Sequence, residues 1–234
     1  MLDLFDEDTF NQYQKKRSSW TKAKQIRMEL LLPIALFSGF GAITWAMRGS
    51  TGWGGFDGTV LPALTWAFLW YYMMRLRGID VRWHVFWLGL GISLGGMLGY
   101  GIYVSWISGT SNDIYLGPIS PVWGWTWMSI CGIAWGGTGG AFLGWLLTKR
   151  KLNKWIWFAR IIIPLCFAGL AFLFMLLFPN IFYPHYSPAL YSLDDLLSHT
   201  NTTNFIFFAW WVGTLVVSGL IERDMLSVKA NLLL

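Results

Sequence analysis

Charge is scarce in this sequence. Asp, Glu, Lys and Arg make up 12% of its 234 residues, against roughly 25% in an ordinary soluble domain. A soluble fold needs a solvated, charged surface, so the scarcity disfavours one. Histidine (3) and cysteine (2) are scarcer still. Cys131 and Cys166 fall in separate apolar runs without a CxxC spacing, which reads as inert packing instead of a redox pair. Between the ends of the apolar runs Asp, Glu, Lys and His are missing, and inside a bilayer such residues mark proton relays and ion pathways. A proton pump or carboxylate-driven antiporter is therefore disfavoured. No lysine is placed for a retinal Schiff base, no histidine pair for haem or chlorophyll, and no base for an intramembrane serine hydrolase.

What is present is apolar and aromatic: 55% hydrophobic residues, 17 Trp and 26 Gly. The charged residues cluster between long apolar runs, the pattern of a polytopic membrane protein. A net charge of +5 at this hydropathy belongs against the cytoplasmic membrane face, so no nucleic-acid partner is expected.

Six runs approach the ~20 residues that cross ~30 Å of hydrocarbon: Met28–Met47, Thr59–Met74, Trp83–Ile107, Val122–Leu147, Trp155–Phe178 and Asn204–Ile221. The second is short. It either gains length from Trp53 and Phe56 or forms half of a re-entrant hairpin with the glycine-rich turn before it; a full span makes the charge pattern simple. With the N-terminus inside, 15 of the 17 Lys and Arg lie on the cytoplasmic side, leaving Arg48 and Arg160. The outer loops 108–121 and 179–203 contain neither residue type. The expected fold is an all-α bundle of six transmembrane helices in the cytoplasmic membrane, with both termini cytoplasmic. Its parts are a polar N-terminal segment (1–27), the six-helix domain (28–221) and a cytoplasmic C-terminal tail (222–234). Within the first part, Phe10, Tyr13, Trp20, Ala23 and Ile26 fall near helical spacing among cations. That pattern fits an amphipathic helix lying on the membrane or, equally, a solvated tail.

Glycine recurs every fourth residue at Gly91, Gly95 and Gly99, and again at Gly132, Gly136, Gly140 and Gly144. Such a spacing keeps one helical face smooth for close backbone approach, so spans three and four are expected to pack tightly, on each other or across a dimer axis. Deep tryptophans such as Trp66, Trp135, Trp210 and Trp211 then fill space opposite glycines, or stack on a bound lipid or pigment. Arg160, five residues inside its run, is within snorkelling reach of the headgroups.

Two segments carry candidate chemistry. In the first, Arg48, Gly49, Ser50, Thr51, Gly52 and Asp57 belong to a glycine-rich turn, where a guanidinium, backbone N–H groups and a helix N-terminus suit a phosphate or carboxylate. The bland alternative pairs Arg48 with Asp57 or snorkels it; Asp57 or Thr59 serves as the cap of the next helix. In the second, Asp195 and His199 share one helical face and with His185 offer mixed N and O ligands to a divalent metal. The spacing matches no recognised metal motif, and such residues commonly serve as solvated loop groups or caps.

The function expected from these features is a small permease or channel-like protein for a neutral, amphiphilic or anionic solute. The alternative is a non-catalytic subunit of a larger membrane complex, binding partner helices, lipids or pigments through glycine faces and tryptophans. A third reading, an enzyme on a lipid-linked substrate using His185, Asp194, Asp195 and His199, ranks below both. The expected partners are the bilayer and either further copies of the chain or other membrane subunits; a bound lipid or pigment fits as cofactor, haem and retinal do not.

Overall fold

The computed structural model describes residues 7–50, 55–77, 84–109, 119–147, 153–182, 194 and 199–233. It is all-helical, with no strand among these residues. The chain divides into two compact units, residues 1–93 and 94–234.

In the first unit, α1 (Glu7–Ser18) covers part of the polar N-terminal segment, and α2 (Lys22–Ile26) starts on a Thr21 cap. A π turn (Arg27–Leu31) joins α2 to α3 (Leu32–Ser50) without a stop, and α4 (Gly55–Leu76) follows. Glu29 ties α1 down: it accepts from Arg17 Nε (2.5 Å) and from the Tyr13 hydroxyl (2.8 Å). Gly41 lets α3 close on α4, because a methyl there would lie 2.6 Å from Trp66 Nε1. Thr59 does not cap α4. The helix begins four residues earlier, and the buried Thr59 hydroxyl instead donates to the Ser93 carbonyl at 2.8 Å.

α5 (His84–Gly96) runs across the boundary between the units. The second unit continues with α6 (Gly101–Ile107), α7 (Pro121–Leu147), α8 (Lys154–Leu177), the single turn α9 (Pro179–Phe182) and α10 (Thr200–Val216). A second π turn (Val217–Ile221) ends α10, and α11 (Met225–Leu233) closes the chain. α10 packs on α7 and α8, and α11 on α7. Gly213 brings α10 onto α8, where a methyl would sit 2.6 Å from the Pro164 Cα.

Among the described residues, three helices are long and apolar enough to cross a membrane: Lys22–Met47, Lys154–Leu177 and Thr200–Ile221. The α5–α6 pair, bent by 49°, makes a fourth if taken as one broken span. α4 and α7 have the length, at 22 and 27 residues, but their glycine, threonine and tryptophan dilute the aliphatic content. The polarity of the second unit matches a lipid surround: Asn201, Asn204, Thr214, Ser218 and Glu222 are buried, while Phe158, Ile161, Leu165 and Leu173 of α8 face outward. This is the arrangement of a helical membrane protein.

The third apolar run departs from a single continuous helix. It unwinds over Met97–Tyr100, between Gly95-Gly96 and Gly99-Tyr-Gly101. Glycine weakens a helix by about 1 kcal/mol relative to alanine, and four glycines in seven residues make this the place where the helix gives way.

Candidate functional site

The break in the third run frees backbone groups that lipid cannot satisfy. Side chains of the second unit take up one of them. The Gly99 carbonyl accepts from Asn204 Nδ2 at 2.9 Å and from the Cys131 thiol at 3.5 Å. The second N–H of the Asn204 amide goes to the Tyr103 hydroxyl at 2.7 Å. Asn204 thus stitches the break to α10. Its amide orientation follows from its neighbours, since a carbonyl can only accept and, of the two ends of the amide, only the nitrogen donates.

An aromatic wall surrounds this stitch. The Tyr103 ring stacks on Trp127 with centroids 6.2 Å apart at 17°, and meets Trp106 edge-on at 5.5 Å. Trp127 in turn contacts Phe182 and Phe205. Tyr103, Trp106, Trp127, Asn201 and Asn204 are buried to within 1% of completely.

Within this buried aromatic surround, four polar atoms have no hydrogen-bond partner among the described residues: Asn201 Oδ1, Asn204 Oδ1 and the indole nitrogens of Trp106 and Trp127. Each unmatched buried group costs about 1–3 kcal/mol. Two acceptors and two donors are thus left open in one aromatic, uncharged region. No charged side chain belongs to this set.

The other end of the unit holds the charges. Arg160 does not snorkel. Its Nε meets Glu222 Oε1 at 2.6 Å and its Nη2 meets Oε2 at 2.8 Å, with both residues fully buried. Nη1 reaches the Trp145 carbonyl at 3.3 Å, and the guanidinium lies over the Trp157 ring at 5.3 Å. A bidentate carboxylate and a stacked indole satisfy the cation where it stands, so it need not seek the headgroups.

Of the residues singled out in the sequence, Arg48, Gly49 and Ser50 form the last helical positions of α3, and Asp57 lies in the first turn of α4. Their side chains, like Thr51 and Gly52 altogether, lie outside the described residues, as do His185 and Asp195. His199 is the cap of α10, its Nδ1 accepting from the Asn201 N–H at 3.1 Å, and Asp194 is exposed. Among the described residues no group of three or more His, Cys, Asp or Glu is placed to hold a metal.

The glycine spacings do not define one interface. Gly95 abuts the Trp135 backbone (2.6 Å to its carbonyl oxygen from an added methyl), Gly99 abuts Thr200, and Gly144 abuts Asn231 and Ser227. Gly132 faces open space, while Gly91 and Gly140 are buried and Gly136 is half-buried. Trp66 opposite Gly41, Trp135 opposite Gly95 and Trp211 opposite Gly137 fill the hollows that those glycines leave; Trp210 stacks on Phe142.

Sequence reasoning missed Asn201, Asn204, Tyr103 and Glu222. The available signals were two asparagines opening an apolar run, and a carboxylate just beyond one run in a chain with a cation inside another. No protein-family model, curated protein or solved structure matches the chain.

Proposed function

We propose that the chain is a six-span protein of the cytoplasmic membrane, with both ends inside, and that it acts as a small permease for a neutral or amphiphilic solute. One observation carries the reading: a broken helix whose freed Gly99 carbonyl is held by Asn204, beside four unmatched buried polar atoms. Broken helices that present polar groups inside a bilayer are a recurrent way to build a solute site. Support for six spans comes from the helices that occupy all six apolar runs and from the one-sided distribution of Lys and Arg. An anionic solute would depend on Arg48 and the glycine-rich segment after it; the uncharged character of the Asn204 site favours a neutral one.

Swelling of proteoliposomes, followed by light scattering, tests the proposal with glycerol and erythritol as neutral probes and lactate as the anion. Entry of a neutral probe faster than into protein-free vesicles is expected, with Asn204→Leu returning it to the protein-free rate. Equal rates for all three probes with and without protein would sink the assignment.

The subunit reading has one specific observation in its favour. On α7, Trp125, Ser129, Gly132 and Ile133 are exposed, and Gly132 has nothing within 4 Å, a smooth face suited to a second helix. Purification in mild detergent with mass measurement separates the two: a strict monomer removes this alternative.

A further inference from the structure

The C-terminal helix is built inside out. α11 buries Ser227 and Asn231 completely or nearly so, and exposes Met225, Leu226 and Leu232 to 63%, 43% and 60%. A helix on a protein surface in water does the reverse. The polar residues are not buried idly. Ser227 Oγ bonds Ser218 Oγ at 3.1 Å, Asn231 Oδ1 accepts from Thr214 Oγ1 at 3.1 Å, and Asn231 Nδ2 donates to the Ser227 carbonyl at 2.8 Å. Gly144 of α7 makes the room: a methyl there would fall 2.6 Å from Asn231 Nδ2.

The pairing register sets the direction. Residue 218 lies beside 227 and residue 214 beside 231, so α11 turns back and climbs antiparallel to α10. The reversal uses Arg223 in the left-handed region (φ 50°) and Asp224 as the cap, its Oδ1 accepting from the Leu226 and Ser227 N–H groups. Thr214 is seven residues inside the Ile221 end of a membrane-length helix, roughly 10 Å at the α-helical rise. Asn231 reaches the same level. A helix end at such depth leaves carbonyls without water, and here Trp211 Nε1 donates to the Asn231 carbonyl at 3.3 Å.

We propose that α11 is a re-entrant helix: it lies within the inner leaflet against α7 and α10, with Met225, Leu226 and Leu232 among acyl chains. This replaces the cytoplasmic tail that the sequence alone implies for residues 222–234. Exposed Leu220 and Ile221 continue the apolar surface. Lys229, exposed among the apolar positions, and Arg223 at the turn place cations where snorkelling reaches anionic headgroups. The inference is independent of what the protein transports.

Site-directed spin labelling tests it. In a background with Cys131 and Cys166 replaced by alanine, Leu232→Cys, Leu226→Cys and the reference Lys16→Cys are labelled with a nitroxide. The full chain is then placed in phosphatidylcholine–phosphatidylglycerol vesicles. Labels at 226 and 232 are expected to collide more with oxygen than with a water-soluble nickel chelate, and the label at 16 the reverse. Nickel access at 226 and 232 equal to that at 16 would put the helix in water and overturn the proposal. So would labels shielded from both reagents with spin–spin broadening, which would put a second copy on this face. Either labelled position suffices should the other fail to fold.

Discussion

Arg160 and Glu222, 62 positions apart, meet as a fully buried, bidentate ion pair that joins α8 to the end of α10. Neither charge has a route to water, so the pair stands or falls as a unit. Glu222→Gln leaves the guanidinium uncompensated and is expected to cost about 3–5 kcal/mol, whereas Arg160→Met combined with Glu222→Leu removes both charges and costs less. Thermal unfolding in detergent checks this, with the double variant melting above Glu222→Gln.

The stitch at Asn204 predicts a graded response. Asn204→Ala takes the amide donor from the Tyr103 hydroxyl and leaves the Gly99 carbonyl with only the weak Cys131 thiol, and is expected to cost about 1–3 kcal/mol. Tyr103→Phe loses one interhelical hydrogen bond, worth about 0.6 kcal/mol in a membrane. Amide exchange over Gly101–Ile107 should speed up strongly in the first variant and little in the second.

Two glycines of the same spacing should behave oppositely. Gly95→Ala forces a methyl against the Trp135 backbone, which cannot rotate aside, and overpacking of this kind costs about 1–3 kcal/mol. Gly132→Ala meets open space and is expected to be neutral or to stabilise by up to about 1 kcal/mol through helix propensity. Melting temperatures of the two variants decide the matter, and a loss of oligomer in Gly132→Ala alone would favour the subunit reading.

The docking of α1 carries a pH dependence. Burial first, and then the hydrogen bond to Glu29, raise the Tyr13 phenol above its ordinary value. A group whose folded pKa is raised stabilises fully below the unfolded value, here about 10, and that stabilisation fades as the pH climbs through the folded value. Release of α1 above pH ~10, followed by limited proteolysis within residues 7–18, is the expected outcome. In Tyr13→Phe this alkaline step should disappear.

The helices themselves were largely legible, because a lipid surround demands long apolar runs and helices occupy all six runs, the third as a broken pair. The break at Met97–Tyr100 was written in its glycines, yet so was an interface. What distinguishes them is Asn204, more than a hundred positions away, and no local pattern announces that partner. Arg160 was legible as an oddity and illegible as a pair, since Glu222 sits just past a run where a carboxylate looks like an ordinary loop residue. The α11 helix was hidden for a different reason: with serine and asparagine inward, its pattern matches neither a soluble helix nor a spanning one.

The π turn Val217–Ile221 closes on a hydrogen bond from the Glu222 N–H to the Val217 carbonyl at 2.9 Å. Such a turn accommodates one more residue than an α-helical turn, and each residue of an α-helix advances by about 100°. The extra residue therefore acts as a phase correction. In an uninterrupted helix the azimuth held by Glu222 would fall to its neighbour Ile221, and a branched alkyl group would confront the guanidinium. The electrostatics at that end of the unit thus depend on a single surplus residue in the count: a one-residue deletion within 217–221 would let the turn rewind as α-helix with Glu222 still facing Arg160, whereas one further inserted residue would turn the carboxylate away from the guanidinium.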